Sequence, residues 1–243
     1  MFSNTFLQDV EIVVRYCYIE EPYWLAFINH HYSLGVRKFH VIVRFKSDQK
    51  SVESFSYKKD LIIETYNVGD KYLPNQSLRE FNLKKIKISS KYLLLLDCDE
   101  FIYSFNKNFI LSKLLQERIF LDIRWVMNPI TNNGSSQNGF YGSACKQISS
   151  SYQINNIKSP HRFNNNEKQT PGVREVTMYG VILIHNWSRS LIDCLLKSSF
   201  SQIRNEKTID QEEIQINLRK GILNSRAKYL AFLDIQTRYI QGF

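Results

Sequence analysis

Cysteine is scarce and scattered in this 243-residue chain. Cys17, Cys98, Cys145 and Cys194 include no C-x-x-C pair, which argues against a zinc ribbon or a thioredoxin-like centre. Their spacing suggests buried free thiols of a reducing compartment. No N-terminal apolar run resembles a signal peptide. No stretch approaches the roughly 20 apolar residues of a membrane span. Nor is there a dense block of Lys and Arg, although the formal net charge is +9, so a nucleic-acid-binding tail is not expected. Internal repeats are absent. The expected setting is the cytoplasm, at most at the cytoplasmic membrane surface.

What is present is ordinary for a folded domain. Hydrophobic residues make up 43% and charged residues 23%, which argues against disorder. The basic balance suits phosphate-bearing partners. Val10 to Tyr18 is β-branched and aromatic and reads as a strand. A helix follows from Glu20-Glu21-Pro22 to about Leu34 and stops at Gly35. Lys38 to Val43 and Leu61 to Tyr66 read as further strands, so the start of the chain is a βαβ unit with parallel strands. Pro74 to Ile88 reads as a helix, Tyr92 to Leu96 as a central strand, Asn108 to Arg118 as a helix and Phe120 to Val126 as a strand. Two polar stretches, Asn128 to Gly142 and Asn155 to Thr170, read as long loops. Val181 to His185 is a strand. Ser190 to Arg204, Asp210 to Leu223 and Arg226 to Tyr239 read as closing helices. The predicted fold is an α/β domain with a mostly parallel central sheet flanked by helices on both faces. It covers residues 1–204, and a helical extension over 205–243 packs on the same domain.

The strongest chemical signal is LLLLDCDEF, Leu93 to Phe101. In open parallel sheets, ligands bind outside the carboxyl ends of the strands. Asp97, Asp99 and Glu100 stand at such an end. Three carboxylates this close repel one another unless a cation or a proton relieves them. A hard ion, Mn²⁺ or Mg²⁺, shared with substrate phosphates would do so. The second signal is VILIHNWSRS, Val181 to Ser190, where His185 ends another apolar strand and is a candidate metal ligand. Arg189 and Lys197 follow and are candidate phosphate contacts. The helix from Ser190 is apolar enough at Leu191, Cys194 and Leu195 to suggest a peripheral membrane contact, though packing on the sheet explains the same pattern.

These segments resemble glycosyltransferases of the family 2-like and family 92 type, which have the GT-A fold. In EEPYWLAFINHHYSLG, Glu20, His31 and Gly35 match the family's Glu, His and Gly, while Ile19 stands where an Asn is usual. Ser47-Asp48 approximates a Ser-x-Asp-like turn, with Arg44 and Phe45 where small polar or acidic residues are usual. SKYLLLLDCDEFI resembles the family's aspartate motif. In HNWSRS, His185, Arg189 and Ser190 match, Asn186 replaces a Tyr, and Lys197 falls where a Lys is common. Trp125, Lys146 and His161 are similar to a Trp, a Lys and a His of the middle region.

The resemblance implies metal-dependent transfer of a sugar from a nucleotide diphosphate donor, a UDP-sugar being favoured, to a hydroxyl of a glycan or lipid-linked glycan, with inversion. It implies Asp97, Asp99 and His185 at the metal. Glu20, Asp48, Asp97, Arg189 and Lys197 would contact the nucleotide. An inverting transfer needs a general base. Glu100, Asp122 and Glu175 are candidates, with Glu100 placed first, and His161 is a further loop candidate. Other readings use the same residues. One is a degenerate GT-A-like protein without turnover. Another is a metal-dependent phosphoesterase, which wants more His and Asp ligands than a chain with five His readily offers. A third is a non-enzymatic basic module for nucleic acid or anionic membrane.

Overall fold

The computed structural model describes residues 6–17, 20–69, 81, 83–104, 120–127, 141–150, 154–159, 162–165, 174–175 and 181–185. The chain divides into two compact units. One holds Met1–Trp125 and Ser143–Leu183, and the other holds Val126–Gly142 and Ile184–Phe243.

The first unit begins with the expected strand, helix and strand. Val10–Arg15 (β1) is rich in β-branched residues, which suit an extended backbone. Glu21–Ser33 (α1) starts with proline in its first turn and buries Trp24, Phe27, Ile28 and His31. It ends where Gly35 adopts φ 110°, a left-handed conformation that glycine takes without a Cβ penalty. Lys38–Val43 (β2) then runs parallel to β1, with Ile12 opposite Phe39.

A second helix, Lys46–Ser54 (α2), follows directly. The sequence reading expected a turn at Ser47-Asp48. Asp48 instead lies in the first turn of α2 and is buried. Ile62–Asn67 (β3) is an edge strand, parallel to β2. Of the helix expected over Pro74 to Ile88, residues 74–80 and 82 lie outside the described residues, and Leu83–Lys85 forms a 3₁₀ turn.

Tyr92–Asp97 (β4) pairs parallel with β1 from Val10 opposite Tyr92 to Arg15 opposite Asp97. Leu93, Leu94, Leu95 and Leu96 are all buried, as an interior strand requires. Each such leucine stabilises the fold by about 1.5–3 kcal/mol through burial. Cys98 and Asp99 make the turn into Glu100–Ser104 (β5), a strand the sequence reading did not separate from the acidic motif.

Later strands are Phe120–Met127 (β6), Tyr141–Ser150 (β7), Ile154–Ser159 (β8), Arg162–Asn165 (β9), Arg174–Glu175 (β10) and Val181–His185 (β11). The main sheet has the order β3-β2-β1-β4-β7-β6-β11-β5, with β10 beside β6. Its first four strands are parallel, and β7 runs antiparallel to β4. The fold is therefore α/β with a mostly parallel sheet. The stretch from Asn155 to Thr170, expected as a loop, contains most of β8 and all of β9, which pair antiparallel as a separate two-stranded sheet.

Side-chain alternation divides the core into two layers. On one face Val10, Ile12, Val14, Phe39, Val41, Leu94 and Leu96 pack with Trp24, Phe27 and Ile28 of α1 and Val52 of α2. On the other, Val13, Ile42, Leu93 and Leu95 pack with Phe81, Leu83, Ile86 and Ile157. Among the described residues α1 and α2 cover one face, and the 3₁₀ turn Leu83–Lys85 lies against the other. Ion pairs and hydrogen bonds fill a polar gap in the second layer. Glu11 accepts from Ser89 and Ser90 through one carboxylate oxygen and from His40 through the other. Burial alone would raise the Glu11 carboxyl, but these donors outweigh it and hold it at about 2.

The helices expected at Asn108 to Arg118 and from Ser190 onward lie outside the described residues, as does the expected boundary at 204/205. Among the described residues no helix is long and apolar enough to cross a membrane.

Candidate active site at the carboxyl end of the sheet

Parallel strands β1 and β4 end side by side, and their register alone places Arg15 opposite Asp97. The Arg15 guanidinium lies 3.5 Å from one Asp97 oxygen. The other oxygen, Oδ2, accepts a 2.7 Å hydrogen bond from Lys146 Nζ. Lys146 comes from β7, where the antiparallel register with β4, Leu94 opposite Ile148, carries it toward the Asp97 end. Its side chain is fully buried, and Nζ also lies 3.2 Å from Glu100 Oε2. Glu100 Oε2 accepts the Asp97 backbone N–H at 2.7 Å, which closes the turn.

This cluster answers the repulsion expected among the acids. The relieving cation is supplied by the chain itself, chiefly as Lys146. Burial alone would raise the Asp97 carboxyl. The ammonium of Lys146 and then the guanidinium of Arg15 outweigh it and hold the group at about 2. Reciprocally, burial would lower Lys146, but Asp97 and Glu100 raise it above its ordinary value. Asp97 and Lys146 are both charged at neutral pH.

The other acids anticipated for the site gather at the same edge. Glu20 stands at the N-cap position of α1, with no side-chain cap hydrogen bond, and is 8% exposed, Asp99 sits in the turn at 4%, and Asp48 in α2 at 2%. Burial pushes the Cys98 thiol well above its ordinary value, and the charges of Glu20, Asp99 and Asp97 push it further. Cys98 Sγ donates to the Arg15 carbonyl at 3.2 Å, so it braces the ends of β1 and β4. Tyr16 extends the cluster toward α2. Its hydroxyl lies 3.0 Å from Ser51 Oγ, which in turn donates to Glu21. Burial and then the nearby charges, Asp48 among them, outweigh the Ser51 hydrogen bond and raise the Tyr16 hydroxyl to about 12.

The remaining described candidates lie on other strands. His185 is buried at the end of β11 and belongs to the second unit. Asp122 accepts a hydrogen bond from Gln147. Glu175 lies on β10. His161, Arg189, Lys197, Ile19 and Asn186 lie outside the described residues. Arg15 was not anticipated, and Lys146 only as a resemblance. The signal for Arg15 was available, since a cation ending β1 faces an acid ending β4 once the two strands pair in parallel.

The donor set at the acidic turn is all oxygen, which suits a hard divalent cation over a soft one. Among the described residues no three His, Cys, Asp or Glu side chains form a group that holds a metal. With Asp97 engaged by Lys146 and Arg15, the arrangement fits a divalent ion that brings further oxygen ligands with it, as substrate phosphates do.

No family model matches the chain, and no curated protein matches it. Among solved structures the chain is similar to the crystal structure of S. aureus TarS 1-349, at 13% identity and a TM-score of 0.37, over 96% of this chain and 92% of that one.

Proposed function

We propose that the chain is a glycosyltransferase that moves a sugar from a nucleotide diphosphate donor to a hydroxyl acceptor. The observation that carries this reading is the acidic turn Asp97-Cys98-Asp99-Glu100. It stands at the carboxyl end of a buried parallel strand, with Glu20 and Asp48 at the same edge. That is where open α/β sheets bind ligands, and the sequence around it resembles the aspartate motif of GT-A enzymes.

In this reading Asp99 is the carboxylate offered to Mn²⁺ or Mg²⁺, together with the donor diphosphate. The ion would neutralise charge on the leaving nucleotide. Asp97 has a different task. Its salt bridges lock the ends of β1, β4 and β7 together, so the turn is held rigid before the donor arrives. Glu20 and Asp48 would contact the nucleoside. Glu100, bonded to Lys146 and to the Asp97 N–H, acts as a positioning group in this scheme. A UDP-sugar donor and a glycan or lipid-linked acceptor complete the proposal.

The direct test is release of nucleoside diphosphate from a panel of UDP- and GDP-sugars with Mn²⁺, compared between wild type and Asp99→Asn. Donor-specific release in the wild type, lost in the variant, supports the reading. Release of phosphate from simple esters with no use of any sugar nucleotide would favour the phosphoesterase instead. A folded protein inert toward every donor would favour the degenerate reading.

A further inference from the structure

A cleft opens beside α2, apart from the acidic turn. It has a volume of about 600 Å³ and lies between α2 and the carboxyl ends of β2 and β3. These strands are two and three positions from β4, roughly 10–15 Å at ordinary strand spacing. Its lining is cationic. Arg44, Lys46 and Lys50 face a single acid, Glu53, whose carboxylate accepts hydrogen bonds from Gln49 and Thr65.

Three observations bear on what this cleft holds. Lys46 and Lys50 are four residues apart on α2, so they lie on one helix face and repel one another. Among the described residues neither takes part in an ion pair. Phe45 at the N-cap of α2 offers no side-chain acceptor to the first-turn N–H groups, and Asp48 is the one acid of that turn. Finally, the Phe45 ring is 42% exposed and the Arg44 guanidinium lies over it at 5.1 Å. One wall is therefore apolar, and a cation stands beside it.

We propose that this cleft binds a phosphoryl-bearing ligand through Arg44, Lys46 and Lys50, at a site separate from the acidic turn. The phosphoryl group comes from a free phosphorylated molecule or from an anionic lipid headgroup. The site stands whether or not a nucleotide binds at Asp99.

The probe is inorganic pyrophosphate, titrated calorimetrically without added metal into the wild type, K46Q/K50Q, E53Q and D99N. The lysines are exposed, so their replacement leaves the core intact. Binding should weaken roughly tenfold in K46Q/K50Q as two charged contacts are lost. It should tighten in E53Q, where the opposing charge is removed, and stay unchanged in D99N. Co-sedimentation with phosphatidylcholine vesicles, with and without phosphatidylglycerol, separates the two sources. Capture by anionic vesicles that K46Q/K50Q abolishes identifies the lipid. Pyrophosphate binding without vesicle capture identifies a free ligand. Binding that ignores K46Q/K50Q, or that disappears in D99N, would overturn the proposal.

Discussion

Replacing Lys146 with Met tests the account of the acidic turn most sharply in energetic terms. Methionine keeps most of the side chain's length and apolar packing but removes the ammonium. Nζ lies 2.7 Å from Asp97 Oδ2 and 3.2 Å from Glu100 Oε2. At an effective dielectric of about 20, the nearer contact alone is worth about 6 kcal/mol before desolvation. Burying the ammonium takes back part of that, while the variant deprives both carboxylates of the ammonium and leaves Asp97 with the more distant Arg15. The expected destabilisation is about 3–5 kcal/mol at neutral pH, the usual cost of removing one member of a buried pair. Urea unfolding at pH 7 measures it. The deficit should shrink as pH falls, because the variant's carboxylates lose the ammonium that kept them charged and take up protons more readily. Adding Asp97→Asn to Lys146→Met should recover part of the loss. A Lys146→Met protein as stable as wild type at pH 7, within about 0.5 kcal/mol, would refute the reasoning, since surface changes fall in that range.

Three further outcomes follow from other residues. Asp97 and Glu11 are both held at about 2, below ordinary values of 3.8 and 4.5. Their stabilisation is present above those ordinary values and is lost as pH falls toward 2, at a few kcal/mol in total. Acid unfolding followed by circular dichroism should therefore be steep below pH 4.5, and in Glu11→Gln it should be shallower. Gly35→Ala should cost about 1 kcal/mol or more, because φ of 110° strains any residue with a Cβ. A thermal melt reads this directly. Native Cys98 should resist iodoacetamide at pH 8 while the urea-unfolded chain reacts, as mass spectrometry of its peptide would show. Equal labelling in both states would contradict its burial and raised thiol.

The parts of the fold that could be read in advance were those with one dominant signal. β1, β2, β4 and β11 are short runs dominated by β-branched residues or leucine, and β1, β2 and β4 are almost wholly buried, which leaves few other options for such runs. α1 announced itself through Pro22 and Gly35. α2 was missed because KSDQKSVES buries just Val52 and Asp48, so no apolar periodicity marks it. β8 and β9 were missed because Asn and Ser suggest loops. Their strand state comes from pairing with each other, a tertiary effect that overrides composition. At the site, the acids were legible because they adjoin in sequence. Lys146 lies 49 residues from Asp97 and meets it through the register of β7 on β4. Neither composition nor spacing carries that register.

In the proposed function the acidic turn receives a nucleotide diphosphate with a divalent ion at Asp99. Calorimetric titration of UDP and of GDP, with and without Mn²⁺, into wild type and Asp99→Asn tests it most directly. One nucleotide, UDP being favoured, should bind in a manner that requires the metal and is abolished by the substitution. Absence of binding by either nucleotide under every metal condition would contradict it, and so would metal-dependent binding that Asp99→Asn leaves intact.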